Sequence, residues 1–285
     1  MTATPGPPVA AATHGRAGRN LGAATAVGLG LGAVVVASLF VYKPAFGFFV
    51  AAVMVLGVWE ISTALAGADI NVSRWPVLIG TVPMVVGGYL FGPEFLLGAC
   101  GITVLLGFGW RLPKGADGFV ADATATVFVT VYVPLMGGFA ALLSRGDEGP
   151  WHVLAFLACV VASDVGGYAS GVLFGRHSMA PRISPKKSWE GFAGAAVLTL
   201  VVGSLVVALG TSLPWWAGTV LAAAVVATAT VGDLIESLIK RDIGVKDMGH
   251  LLPGHGGIMD RLDSMLPSAV VAYVVFAAVE WALRV

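Results

Sequence analysis

Apolar residues dominate this chain in long stretches, broken by short joints that hold most of its polar residues. Stretches of about 20 residues are long enough to cross a bilayer as helices. Their lengths predict about nine spans, at roughly 21–42, 46–66, 76–92, 94–110, 119–143, 152–175, 190–210, 215–240 and 264–283. The third and fourth are short and divided only by Gly92 and Pro93. The run at 21–42 is too long for a signal-peptide core, and further spans follow it, so it is read as the first membrane helix. Residues 1–20, rich in Ala, Pro, Gly and Thr, read as a disordered tail on the cytoplasmic side. The fold class is all-α: a polytopic integral membrane protein with its N-terminus in the cytoplasm.

Charge supports that topology. Hydrophobic residues make up 57% of the chain and charged ones 11%, against about 25% charged in a soluble domain. The net charge is zero, so only its distribution is informative. With nine spans and the N-terminus inside, the cytoplasmic joints carry Arg16, Arg19, Arg74, Arg111, Lys114, Arg176, Arg182, Lys186, Lys187, Lys240, Arg241, Lys246 and Arg261, thirteen basic residues; the other face has Lys43, Arg145 and Arg284. That is the positive-inside pattern. Cys100 and Cys159 lie inside apolar runs and suggest neither a disulfide framework nor a metal site. Arg-rich runs and aromatic platforms for nucleic acid are absent. Six tryptophans, Trp75, Trp110, Trp151, Trp189, Trp215 and Trp216, lie near span ends as interfacial anchors do.

The chemistry gathers in two cytoplasmic segments, from Arg176 to Trp189 and from Asp233 to Asp263. Asp233 shares a helical face with Ser237 and Lys240, and Asp260 and Asp263, three apart, can share another. Carboxylates with a nearby hydroxyl suit a hard cation such as Mg²⁺, held between one or two carboxylates and substrate phosphates. Lys240, Arg241, Lys246 and Arg261 supply positive charge, and Gly254, Gly256 and Gly257 let a ligand approach the backbone. Together these parts suit phosphoryl or nucleotidyl transfer. Topology alone would explain the lysines and arginines. It would not explain Asp242, Asp247, Asp260, Asp263, His250 and His255 interleaved with them.

The run Ser237-x2-Lys240-Arg241-x4-Lys246-Asp247-x5-Pro253-x-His255-Gly256-Gly257-x2-Asp260-Arg261-x-Asp263, 27 positions long, resembles the signature of the phosphatidate cytidylyltransferases. Upstream, Ser184-Pro-Lys186-Lys187-Ser188-x-Glu190-Gly191 resembles a second block of that family, in which Thr is usual where Ser188 stands. Asp164-x3-Tyr168-x2-Gly171-x3-Gly175 resembles a third, with Gly167 where Ala commonly precedes the Tyr. The resemblance covers about residues 160–285 in detail. It marks 152–285 as a transmembrane catalytic region behind the N-terminal helices of 21–143.

The resemblance implies that CTP and phosphatidate give CDP-diacylglycerol and pyrophosphate, with Mg²⁺ and a monovalent cation, K⁺, beside it. It implies catalytic roles for Asp233, Asp260, Lys240, Arg241, His255, Arg261 and Asp263. Substrate contacts would fall to Ser184, Lys186, Lys187, Ser237, Lys246, Asp247, Gly256, Gly257, Asp164 and Tyr168, and metal binding to Asp233, Asp260 and Ser237. His255 could exchange a proton or bind phosphate. Asp263 could reach the metal through water or orient Arg261. The implied location is the inner (plasma) membrane, with the site facing the cytoplasm among membrane lipids.

Asp164 lies inside the sixth span, where a carboxylate costs about 2.5–3.5 kcal/mol on insertion scales and is a functional candidate by default. Glu60 in the second span is balanced between structural pairing and a site role, and Asp122 reads as interfacial. Gly28, Gly30 and Gly32 lack the strand and acidic residue of a dinucleotide site and serve helix packing. Glycine-rich helix faces permit a homodimer and equally serve packing within one chain. Two other functions compete: a CTP-dependent polyprenol kinase, which would release CDP rather than pyrophosphate, and a transporter. A transporter would spread its ionisable residues through the membrane, whereas here they concentrate at one face.

Overall fold

The computed structural model describes residues 21–249 and 256–284. The expected tail, 1–20, and His250, Pro253, Gly254 and His255 lie outside the described residues. Helix α1 covers Leu21–Phe40 and α2 Pro44–Ala66. Helix α3, Arg74–Val82, passes through a π turn, Pro83–Gly87, into α4, Gly88–Phe91. Helix α5 is Pro93–Arg111; α6, Phe119–Thr130, passes through a second π turn, Val131–Leu135, into α7, Met136–Leu143. After α8, Gly149–Phe174, comes a hairpin of β1, Ser178–Ala180, and β2, Ser184–Ser188. Helices α9, Trp189–Gly210, α10, Trp215–Asp242, α11, Met259–Leu262, and α12, Met265–Arg284, complete the chain.

Among the described residues, eight helices are long and apolar enough to cross a membrane. They match the second to ninth expected spans. The expected first span is α1, of 20 residues, which is not among the eight. The third and fourth spans are separate, because Gly92 takes φ 110° and Pro93 opens the next helix, a pairing of left-handed glycine and N-terminal proline that ends one helix and starts another. Pro134 falls inside the second π turn, where the wider ring accommodates its missing N–H.

Three findings go beyond the hydropathy reading. The last span starts at Met259 rather than at 264, so Asp260 and Arg261 stand on a helical mouth instead of a loop. Asp122 is buried: Arg111 donates from Nε to its Oδ2 at 2.6 Å, and the Asn71 N–H donates to Oδ1 at 3.0 Å. With the Asn71 contact, this buried pair ties the α2–α3 joint to the α5–α6 joint. Trp151, at the start of α8, also packs within the protein, lying against Gly210 and edge-on to Phe40.

Apolar side chains such as Ile79, Leu105 and Leu209 stay exposed on the outside of the bundle, as lipid-facing residues do. Several hydroxyls inside the spans find partners on their own helix: Thr81 donates to the Val77 carbonyl and Thr130 to that of Thr126. Small residues let helices approach closely. A Cβ on Gly218 of α10 would stand 2.2 Å from the Gly203 carbonyl oxygen of α9. One on Gly232 would stand 2.2 Å from the Asp263 carbonyl oxygen, so the end of α10 is pressed against the start of the last span.

Gly218→Val is expected to lower stability by about 1–3 kcal/mol through overpacking. A fall of the thermal unfolding midpoint in detergent would show it, and an unchanged midpoint would contradict this packing.

Candidate active site

The last turns of α10 carry Asp233, Glu236, Ser237, Lys240 and Arg241 at spacings of three and four, so several share the face turned toward α11. Lys240 is the hub. Its Nζ donates to Glu236 Oε2 at 2.5 Å and to Asp260 Oδ1 at 2.9 Å. Asp260 also accepts the N–H groups of Gly257 at 2.8 Å and Met248 at 3.1 Å through Oδ2. Gly256 beside it takes φ 82°, and a Cβ there would stand 3.1 Å from Asp260 Oδ2. The left-handed backbone and the narrow gap both call for glycine.

A second group lies one helical turn earlier. Lys187, on β2, donates to Asp233 Oδ2. The Asp233 and Asp263 carboxyl groups are within hydrogen-bonding reach of each other, and Asp263 Oδ1 accepts the N–H of Ser264 at 2.7 Å. Asp164 of α8 lies within electrostatic reach of Asp233, Lys187 and Arg261. Of these, Asp164, Lys187 and Asp233 border a cavity of about 210 Å³, lined also by Tyr168, Lys186 and Ser188 among others. Tyr168 of α8 is largely exposed, so the cavity reaches the outer surface of the protein.

The hairpin is placed by its base. Glu190 accepts the N–H groups of Arg176 at 3.1 Å and His177 at 3.2 Å, and its Oε1 lies 2.5 Å from His177 Nδ1. Ser188 caps α9 by accepting the Gly191 N–H at 3.1 Å. With both ends pinned, the strands pair antiparallel and carry Lys186 and Lys187 over the end of α10.

The Cytidylyltransferase family model matches residues 23–279. The chain belongs to the cytidylyltransferase family. It is 43% identical over 274 residues to the phosphatidate cytidylyltransferase of Mycobacterium leprae, covering 90% of this chain and 88% of that protein. It is 41% identical over 273 residues to the Mycobacterium bovis protein of the same name, covering 91% and 89%. With the phosphatidate cytidylyltransferase of Brucella suis it shares 34% identity over 205 residues, 70% of each chain.

Within this cytidylyltransferase the sequence-predicted residues fall into three sets. Asp164, Tyr168, Lys186, Lys187 and Asp233 line the cavity, and Asp263 interacts with Asp233. Lys240, Asp260, Gly256 and Gly257 form the hub. Arg241, Lys246 and Asp247 are exposed beyond them, Ser184 is half-buried at the start of β2, and His255 is outside the described residues.

The expected metal trio is drawn from two helices. Asp233 and Ser237 share α10, while Asp260 is engaged by Lys240 and two amides. Among the described residues no three acidic, His or Cys groups converge tightly enough to hold an ion alone. The Asp233–Asp263 pair nevertheless fits a hard cation. Two carboxyl groups this close repel unless a proton or cation lies with them, and Mg²⁺ takes one or two carboxylates with the rest from phosphate and water.

Two more acidic residues stand at the site: Glu236, which the sequence reading did not assign to it, and Glu60, which that reading left balanced between structural pairing and a site role. Glu236 was legible as an acid four residues before Lys240. Glu60 had no local signal tying it to the site; it meets Met259 across 199 positions.

Lys240→Met is expected to reduce stability by about 2–4 kcal/mol as well as activity, because it leaves Glu236, only 2% exposed, without its cation. Lys187→Met faces a carboxylate 31% exposed and should lose activity with folding nearly intact. Thermal unfolding of both variants in detergent checks the contrast; equal midpoints would contradict it.

Proposed function

We propose that this chain transfers the cytidylyl group of CTP to phosphatidate, giving CDP-diacylglycerol and pyrophosphate in phospholipid synthesis. The relatives' name supplies the substrates. The observation that carries the reading is a lysine-and-carboxylate cavity bordered by the exposed Tyr168 near the end of α8, a helix long and apolar enough to cross a membrane, which in this reading sets the cavity at the membrane interface. A phosphatidate head group keeps to that interface, and a water-soluble nucleotide reaches it from the aqueous side.

An oxygen of the phosphatidate phosphate attacks the α-phosphorus of CTP. The bond from that phosphorus to the bridging oxygen breaks, and pyrophosphate leaves with the electron pair. A phosphate monoester has its second pKa near 6 and arrives as an anion, so no strong general base is required. The demanding tasks are bringing two polyanions together and stabilising the leaving group. Lys186 and Lys187 bind phosphate from the hairpin, and Arg241, Lys246 and Arg261 do so from the far side. Lys240 is already balanced by two carboxylates, and its task is to hold Asp260 in place. Asp233 and Asp263, with Ser237 nearby, would hold Mg²⁺, which supplies charge neutralisation to the phosphates when bound. A K⁺ beside it belongs to the same reading. The site faces the cytoplasm from the inner membrane, the side on which the positive-inside pattern sets these joints.

The test uses purified protein in detergent with phosphatidate, Mg²⁺ and CTP carrying label either in the cytidine or in the γ-phosphate. Cytidine label should enter the lipid, with one pyrophosphate released per lipid formed, and γ label should not. Chelating Mg²⁺ or omitting K⁺ should slow the reaction, and Asp233→Asn should lower kcat by about 10² or more. Lipid carrying γ label, with CDP released, would establish a lipid kinase instead.

A further inference from the structure

Glu60 is a buried carboxylate, 3% exposed, with no role in the reaction just described. It belongs to α2, far in sequence from every motif. Its Oε2 accepts the N–H of Met259 at 3.0 Å. Its Oε1 is buried without a hydrogen-bond partner among the described residues. Both oxygens press on the backbone that flanks Asp260. A Cβ on Gly249 would stand 2.4 Å from Oε1, and one on Gly257 would stand 2.6 Å from Oε2. The Gly257 Cβ position is also 2.8 Å from the Gly249 nitrogen, so the two glycines meet over this carboxylate.

The contacts run directly into the site. Gly257 donates its N–H to Asp260 Oδ2, and Met259 precedes Asp260. An N–H in the first turn of a helix has no acceptor within that helix, and at Met259 Glu60 supplies one. A residue with only a packing role here would be apolar, because a carboxylate inside a membrane span is costly.

The geometry points to Glu60 as a positioning residue for the proposed reaction: from the N-terminal half of the chain it clamps Gly249 against Gly257 and fixes the amides that aim Asp260. It touches no substrate. The inference rests on the reading under Proposed function for its catalytic consequence, while its structural content is independent of that reading.

The test compares full-length Glu60→Gln, Glu60→Ala and wild type by kcat, KM and hydrogen–deuterium exchange. Glu60→Gln keeps an oxygen for the Met259 N–H and should stay within about threefold of wild-type kcat. Glu60→Ala should lose about 10- to 100-fold in kcat, with KM for CTP and phosphatidate changed less than about threefold, as expected for misplacement of a catalytic group. Exchange in Glu60→Ala should rise in residues 256–262 and stay unchanged along α2. Gly249→Ala should be slow, and adding Glu60→Asp, which withdraws the carboxylate by one methylene, should restore part of its kcat. This pair keeps the test open if Glu60→Ala does not fold. Wild-type kcat and exchange in Glu60→Ala, a Glu60→Gln enzyme as slow as the alanine variant, or multiplicative losses in the Gly249→Ala/Glu60→Asp pair would each overturn the inference. A wild type that makes no CDP-lipid would sink the functional reading instead, and the exchange arm would still decide what Glu60 holds.

Discussion

The ammonium of Lys240, held between the carboxylates of Glu236 and Asp260, joins the end of α10 to the start of the last span. At a membrane edge an unpaired charge is expensive, so such groups must find each other. Glu236 is nearly sealed from solvent, and Lys240 balances it. Asp260 is then free to accept the Met248 and Gly257 amides, which organises the backbone on both sides of the 250–255 segment. The cavity group around Asp233 lies one turn away on the same helix and inherits its position from this hub.

Helix packing delivers the charged groups to one another. Gly232 lets the Asp263 backbone come close to α10, and that approach brings the Asp233 and Asp263 carboxyl groups together. Gly203 and Gly218 bring α9 against α10 in the same way, which carries the hairpin at the start of α9 toward the end of α10. The charged cluster is thus made by a few side chains, and their placement is set by residues that have almost no side chain.

Much of this was legible in the sequence, for physical reasons. Crossing lipid demands length and apolarity, so α2 to α10 follow from composition alone. The Gly92-Pro93 joint could be read because each residue has a strong backbone preference. Motif spacing marked Asp233, Lys240 and Asp260. The rest depended on pairing across the chain. The β1–β2 hairpin is short and polar, and its place is fixed by Glu190 at its base. The start of the last span at Met259 rests on α2, through Glu60. Asp122 looked interfacial because its partner, Arg111, belongs to another helix end. Neither the pairing of Asp263 with Asp233 nor that of Asp260 with Lys240 could be chosen by spacing, since both acids stand on one short helical segment.

Charge balance at Lys240 holds the site in shape, and a double-mutant cycle on stability tests this directly. Thermal unfolding in detergent would be measured for Lys240→Met, Glu236→Gln and the double variant. Removing the Glu236 charge should relieve much of the damage done by Lys240→Met, giving a coupling of about 1–3 kcal/mol between the two positions. Losses that add to within about 0.5 kcal/mol would contradict the account, because the two residues would then contribute independently.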